Sequence, residues 1–98
     1  VLVAAAGVGA WREATAAGVP TVAIPRELDQ FGVAARVAHF GTGIALVAGS
    51  WPAASQVAEA VAAVMEDAHF AIRVRTLGAQ VDADGRNDPY AMMLAAPV

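Results

Sequence analysis

The sequence predicts an α/β fold, namely half of a doubly wound, Rossmann-like parallel sheet built as βαβαβ and followed by two to three helices. Three observations support this prediction. Short, wholly apolar runs recur along the first half of the chain, stretches with helical character separate them, and glycine or proline marks most of the boundaries. Wholly apolar runs suit strands of a parallel sheet that is covered by helices on both faces.

The predicted strands are the three apolar runs, which span residues 1–5, 21–24 and 43–47. Of these, the first would lie at the edge of a three-stranded sheet and leave one side unpaired. We therefore expect preceding sequence to supply a neighbour. The 98 residues are interpreted as one partial domain, residues 1–98, of a longer protein.

Two helices are predicted between the strands. Residues 10–17 are rich in helix formers and are stopped by Gly18, with Pro20 just beyond. Residues 30–40 end at Gly41 and carry four apolar residues at helical spacing: Phe31, Ala34, Val37 and Ala38. Right-handed crossovers would place both helices against the sheet.

A third helix is predicted after the third strand. Val57, Val61 and Val64 recur at intervals typical of one helix face, and Ser50 and Pro52 precede them as start signals. These valines would pack against the sheet.

A fourth helix is predicted over residues 69–82, where apolar residues recur at helical spacing: Phe70, Val74, Leu77 and Val81. Residues 82–89 are a predicted polar hinge. Residues 90–94 are predicted to add one or two helical turns.

Composition and charge exclude several classes of protein. The chain is 58% apolar and 15% charged, which excludes a disordered protein. A net charge of −3 without any lysine offers no basic patch for nucleic acid. Residues 37–58 contain no Asp, Glu, Lys or Arg, but glycine, proline, His39 and Gln56 interrupt them, so no membrane span is expected. Because cysteine and a signal peptide are both missing, we expect a cytoplasmic protein without thiolate zinc sites.

Ligands of open α/β sheets bind beyond the carboxyl ends of the strands, which makes residues 5–10 the first candidate loop. Its small residues lead into a helix N-terminus, where backbone N–H groups and about half a positive charge favour a phosphate. A tight turn that needs glycine only for its backbone angles is the alternative. Arg12 stands where the dinucleotide fingerprint has its third glycine, which leaves a cofactor-binding enzyme as a minor interpretation.

The second candidate loop spans residues 25–30 and places polar groups directly after an apolar strand. Asp29 and Gln30 suit the vicinal hydroxyls of a sugar, because a carboxylate accepts hydrogen bonds and an amide both donates and accepts them. The alternative is a solvated loop in which Asp29 caps the following helix.

These motifs together resemble the donor-binding signature of nucleotide-sugar glycosyltransferases with the two-domain GT-B fold. They are most similar to family-one enzymes that glycosylate macrolides and other natural products. The resemblance covers residues 1–83 and rests on the order and spacing of these motifs: Gly7-Val8-Gly9, Glu13-Ala14, Gly18-Val19-Pro20, Pro25, Asp29-Gln30, Gly41-Thr42-Gly43-Ile44-Ala45-Leu46 and Glu66-Asp67-Ala68-His69-Phe70.

The resemblance implies that the chain is the C-terminal, donor-binding domain of a hexosyltransferase that uses UDP- or TDP-sugars. Such an enzyme transfers the sugar to a small lipophilic acceptor, with no metal and no cofactor besides the donor substrate. An N-terminal domain of the same protein would supply the acceptor site and the catalytic base. No catalytic residue is therefore assigned to this chain, and the isolated chain is not expected to turn over.

The resemblance also implies roles for particular residues. Glu13 would accept hydrogen bonds from the ribose hydroxyls, and Asp29 and Gln30 would bind the transferred sugar. The donor diphosphate would be held by four backbone amides: Gly7, Val8, Gly9 and Ala10.

The chain departs from the family pattern at four positions. Ala5, Ala6 and Ala10 stand where relatives have His, Gly and Ser or Thr, and Val33 stands where relatives often have Asn. A degenerate, non-catalytic domain kept for packing or interaction is the alternative function. If the site is active, Arg12 and Arg26 are the candidates to contact the phosphates in place of the missing imidazole, and we expect Arg26, because it directly follows the second strand whereas Arg12 lies within the helix.

The remaining aromatic and histidine residues are given structural roles. His39 and His69 are interpreted as helix-terminal or packing residues rather than catalysts. Trp11 and Trp51 could stack on a nucleotide base. We instead predict that Trp11 packs under its helix and that Trp51 forms a hydrophobic staple beside Pro52.

Overall fold

The computed structural model describes residues 1–47 and 51–83 and contains one three-stranded parallel sheet with four helices. In sheet order, the strands are β1 (Leu2–Ala4), β2 (Thr21–Ala23) and β3 (Gly43–Ala45). The helices are α1 (Val8–Ala16), α2 (Leu28–Phe40), α3 (Ala54–Glu66) and α4 (Ala68–Ala83). The predicted α/β class and the βαβαβ order are confirmed.

The boundaries of the elements differ from the prediction in detail. The strands are shorter than the apolar runs, and α1 and α2 each begin two residues earlier than predicted. α4 continues to Ala83, so the first two residues of the predicted hinge are helical. Ser50, the rest of the hinge and residues 90–94 lie outside the described residues. Within the described ranges, no helix is both long and apolar enough to cross a membrane.

The central strand β2 is buried on both faces and divides the core in two. On one face, Val22 packs with Ala60 and Val64 of α3. The other face is covered by α1 and α2, in a cluster of buried residues that includes Ala6, Trp11, Ala23, Val33, Ala34, Val37 and Leu77. Successive side chains of a strand point to opposite faces, which explains why neighbouring residues of β2 enter different clusters.

Helix α4 lies across the amino ends of the strands and connects the two halves of the core. Leu77 belongs to the α1 and α2 cluster, whereas Phe70 packs against the α3 cluster. Gly78 lets α4 approach α1 closely, because a Cβ at this position would lie 2.9 Å from the carbonyl oxygen of Thr15. The predicted fourth helix therefore closes the end of the sheet at which α1 and α2 terminate.

Two arginines of α4 lie against the glycines that follow α1 and end α2. Gly18 and Gly41 have φ angles of +73° and +67°, a left-handed conformation that favours glycine after a helix. A Cβ on Gly41 would lie 2.7 Å from Cδ of Arg73, and one on Gly18 would lie 3.0 Å from Cγ of Arg75. Both cations thus lie near helix C-termini, where the helix dipole favours positive charge.

The junction between α3 and α4 is held by Asp67. Its Oδ1 accepts the backbone N–H of His69 at 3.0 Å, and Nδ1 of the same histidine lies 2.8 Å from that oxygen. The backbone hydrogen bond, followed by the contact with the imidazole, lowers the pKa of Asp67 below its ordinary value of 3.8. The carboxylate thereby caps the first turn of α4.

Gly43 at the start of β3 is the position where the sheet tolerates no side chain. It pairs with Thr21 of β2, and a Cβ on Gly43 would overlap the carbonyl oxygen of Thr21. This obstacle is backbone rather than the flexible end of a side chain. Relief would therefore require the two strands to separate.

We predict that Gly43→Ala lowers the free energy of unfolding by about 3 kcal/mol, because the methyl group must displace a paired strand. Gly32→Ala is the matched control. Gly32 lies inside α2 with open space around its Cβ position, so alanine there should stabilise the protein by about 0.5–1 kcal/mol. Denaturant unfolding of both variants measures the difference, and similar midpoints for the two would contradict the close approach.

Candidate functional site

The carboxyl ends of the three strands face one edge of the sheet, and the predicted site residues lie on the segments that leave it. The loop after β1 enters α1, and the loop after β2 enters α2. The segment after β3 includes Trp51. Because the strands are parallel, all three segments start at the same edge. The candidate site is therefore an edge of the sheet rather than a closed cavity.

The first turn of α1 presents backbone amides that nothing in the helix uses. Gly7 is the N-cap and has no side-chain cap, and the first helical hydrogen bond runs from the Trp11 N–H to the Gly7 carbonyl at 3.1 Å. The N–H groups of Val8, Gly9 and Ala10 consequently have no acceptor within the helix. This geometry suits an anion. That the anion is a diphosphate stays a prediction.

Ala6 keeps the backbone shape that a glycine would give this turn. Its φ is +65°, and among the described residues it is the one non-glycine with a positive φ. A left-handed alanine costs roughly 1–2 kcal/mol. Its methyl group is buried with Trp11 and Val33 in the core under the turn, which offsets part of that cost. Ala6 therefore holds a conformation that glycine would adopt at lower cost.

Gln30 ties the second loop to the first turn of α2. Its Oε1 accepts the backbone N–H of Arg26 at 2.9 Å and that of Glu27 at 3.1 Å. Within the described part of the chain, the amide NH₂ of Gln30 makes no hydrogen bond. We predicted that this amide would both donate to and accept from a sugar. Because its oxygen is already used by two backbone N–H groups, only its NH₂ group remains to donate hydrogen bonds to a ligand.

The alternative in which Asp29 caps α2 is wrong. The N-cap is Glu27, and Asp29 is the second residue of the helix, with an exposed side chain. Its carboxylate lies in the first turn, where the helix dipole stabilises negative charge. Sequence reasoning missed the roles of Glu27 and Gln30, although their spacing of three residues is the typical signal of such a cap.

The two tryptophans have opposite environments. Trp11 is fully buried between α1 and the sheet, so its predicted packing role is confirmed. The staple predicted for Trp51 is wrong, because the N-cap of α3 is Ala53, which puts Pro52 at the staple position and leaves Trp51 57% exposed. Its ring instead faces Arg26, whose Cζ lies 4.9 Å from the ring centre. Nothing in the sequence signalled this contact, which joins the loop after β2 to the segment after β3.

Glu13 lies on the outer side of α1 beside β1. It lines an open groove of about 330 Å³ together with Ala10 and residues at the start of β1, among them Val1 and Leu2. Ala10 and Glu13 are three residues apart and so share one face of the helix. Of the residues with an unpaired amide, Ala10 lines this groove, and Glu13 lies one turn further along α1.

The two histidines lie at helix ends, as predicted. His39 is in the last turn of α2, with its ring edge-on to Phe40 at 5.1 Å between centroids. His69 is in the first turn of α4, where it contacts Asp67. Among the residues that the structure describes, no three His, Cys, Asp or Glu side chains form a cluster that could hold a metal ion.

Comparison with protein families places the chain in a known family. The family described as erythromycin biosynthesis protein CIII-like, C-terminal domain, matches residues 1–95. The chain belongs to this family. The family consists of C-terminal domains of family-one glycosyltransferases with the GT-B fold, which agrees with the parallel sheet and its four helices. No curated protein matches the chain.

We predict that Gln30→Ala lowers the free energy of unfolding by about 1 kcal/mol, because two backbone N–H groups at the start of α2 lose their acceptor. Gln30→Glu keeps an oxygen at the same position and should unfold near the wild-type midpoint in denaturant.

The matched control is Gln56→Ala in α3, where Gln56 accepts the Ala53 N–H at 2.7 Å in the same way. Because Gln56 accepts a single backbone N–H and Gln30 accepts two, Gln56→Ala should lose about half as much stability as Gln30→Ala. If Gln30→Glu proved as unstable as Gln30→Ala, the capping role of Gln30 would be refuted.

Proposed function

We propose that this chain binds the nucleotide-diphosphate-sugar donor of a glycosyltransferase that transfers the sugar to a small lipophilic acceptor. The observation that carries the proposal is the first turn of α1. It presents three N–H groups without a helical acceptor at the carboxyl edge of the sheet, in a chain of a glycosyltransferase family. A preceding domain of the same protein would supply the acceptor site and the catalytic base.

The diphosphate is the leaving group of the reaction, and it gains negative charge as the bond to the sugar breaks. Backbone N–H groups of residues 7–10 and the positive end of the α1 dipole are fixed before the reaction, so they can stabilise that charge without reorganisation. Arg26 adds a cation at the same edge. Such a site needs no divalent metal to balance the charge of the leaving group.

The donor would extend in two directions from the diphosphate. Towards β1, Glu13 lies one turn of α1 beyond Ala10, and its exposed carboxylate can accept from the ribose hydroxyls. Towards α2, Asp29 offers an acceptor and the Gln30 amide offers donors. One acceptor beside one donor suits a pair of neighbouring sugar hydroxyls.

Large apolar side chains are exposed at this edge. Leu28, the first residue of α2, is 92% exposed, and Trp51 lies on the segment after β3. Exposed apolar groups that rim a polar site are typical of a surface that meets an apolar ligand or another domain. They support a lipophilic acceptor held between this domain and a second one.

A degenerate domain that no longer catalyses transfer is the second candidate. The specific observation in its favour is that Ala5 and Ala10 lack the imidazole and hydroxyl that relatives place near the diphosphate. Against it, Ala6 preserves the turn at a cost in backbone strain, and the N–H groups of the first turn remain without acceptors.

We expect Glu13→Ala and Gln30→Glu to weaken binding of the nucleotide sugar by about 1–3 kcal/mol each in the intact protein. Each change removes the hydrogen-bond partner of a ribose or sugar hydroxyl. Calorimetry with UDP- and TDP-sugars measures the effect. His39→Ala is the control and should bind the nucleotide sugar like the wild type. His39 is in the last turn of α2, at the opposite end of this helix from Asp29 and Gln30. A larger loss for His39→Ala than for Glu13→Ala would reverse the assignment.

We predict that Ala5→His raises donor affinity about tenfold in the intact protein, because one charge-assisted hydrogen bond to a phosphate has this strength. The same calorimetric titration measures it, with Ala5→Phe as a control for bulk. Absence of binding both before and after the change would favour the degenerate domain.

A further inference from the structure

We propose that Trp51 is a positioning residue, whose ring holds the Arg26 guanidinium towards the donor diphosphate instead of stacking on the nucleotide base. This inference rests on the proposed function and extends it to a residue that the sequence motifs do not include. It concerns the contact between the loop after β2 and the segment after β3.

The contact has the geometry of a cation–π interaction. Cζ of Arg26 lies 4.9 Å from the centre of the Trp51 ring, within the distance of about 6 Å over which such pairs attract. Both side chains are exposed, so burial does not force them together. One face of the ring is directed at the guanidinium and is therefore not free for a nucleotide base.

On both sides of the contact, the side-chain oxygen of a glutamine accepts a backbone N–H group and so holds the backbone in place. Gln30 accepts the backbone N–H of Arg26 at 2.9 Å, and Gln56 accepts that of Ala53, two residues after Trp51, at 2.7 Å. The prolines that precede Arg26 and follow Trp51 are buried. Arg26 is thus held at its backbone by Gln30 and at its charged end by the tryptophan ring.

Apart from its contact with Trp51, the charge of Arg26 lies at a helix end where the dipole does not favour a cation. Arg26 directly precedes Glu27, the N-cap of α2, and the positive end of a helix dipole repels a cation. Among the described residues, its guanidinium makes no ion pair with a carboxylate. Glu27 and Asp29 already place negative charge at the N-terminus of α2, so the positive potential at this edge comes from the N-terminus of α1 and from the cation of Arg26, and an anion would neutralise it.

A ring contact through the face of the guanidinium leaves the N–H groups in its plane available. Those groups can donate two parallel hydrogen bonds to phosphate oxygens, the geometry in which arginine binds phosphate best. A free arginine side chain would lose many conformers on binding, whereas one held by Trp51 has fewer to lose. Trp51 would thus increase affinity for the diphosphate without contacting it.

The test compares ligands that contain the diphosphate with ligands that contain only the base. In the intact protein, Trp51→Leu should weaken binding of UDP, TDP and inorganic pyrophosphate about three- to fivefold, the range expected for an exposed cation–π pair. Uridine and thymidine should bind as they do to the wild type. Trp51→Phe keeps an aromatic ring and should restore most of the lost affinity.

A double-mutant cycle identifies the partner. Arg26→Met should weaken pyrophosphate binding about tenfold, and adding Trp51→Leu to it should cause no further loss, because Trp51 acts through Arg26. Independent losses would overturn the inference. So would a Trp51→Leu variant that loses uridine or UDP but keeps pyrophosphate, since that pattern indicates base stacking. If the wild-type protein binds none of the diphosphates, the proposed function itself fails, whereas normal binding by Trp51→Leu refutes only the role of Trp51.

Discussion

The burial of β2 on both faces is the constraint on which the rest of the structure depends. Val22 needs the cover of α3, and Ala23 needs that of α1 and α2, so three helices must pack around a strand of three residues. Parallel pairing with β1 and β3 then directs every strand-to-helix connection to the same edge. The backbone contact at Gly43 keeps β3 close enough to β2 for this arrangement to hold.

The two ends of the sheet serve different purposes. At the amino ends of the strands, α4 covers the core, and its arginines lie near the C-termini of α1 and α2, so charge and helix dipole agree. At the carboxyl ends, amides lack acceptors, Ala6 holds a strained conformation, and Arg26 precedes a helix N-terminus. Features that oppose stability are thus concentrated where a ligand would compensate for them.

The side chain of Gln30 shows how one residue can serve both the fold and a ligand. Its carbonyl oxygen is committed to the start of α2, and its amide group points to no partner among the described residues. An oxygen held by two backbone N–H groups also fixes the direction of the NH₂ group on the same planar amide. The cap would therefore orient the donor that a sugar hydroxyl could use, which reduces the entropy lost on binding.

The sequence by itself determined the α/β class, the order of the elements and the position of the candidate loops, because apolar runs, helical periodicity and glycine are local signals. The cap formed by Glu27 and Gln30 has a local signal in their spacing of three residues, but Asp29 is an equally typical N-cap residue, so the sequence does not decide between them. The positive φ of Ala6, the contact of Arg26 with Trp51 and the approach of Gly78 to Thr15 depended on tertiary structure. The two contacts join residues that are far apart in the sequence, and the φ angle of Ala6 is one that alanine does not favour by itself. Only the packing of the whole domain therefore determines these features.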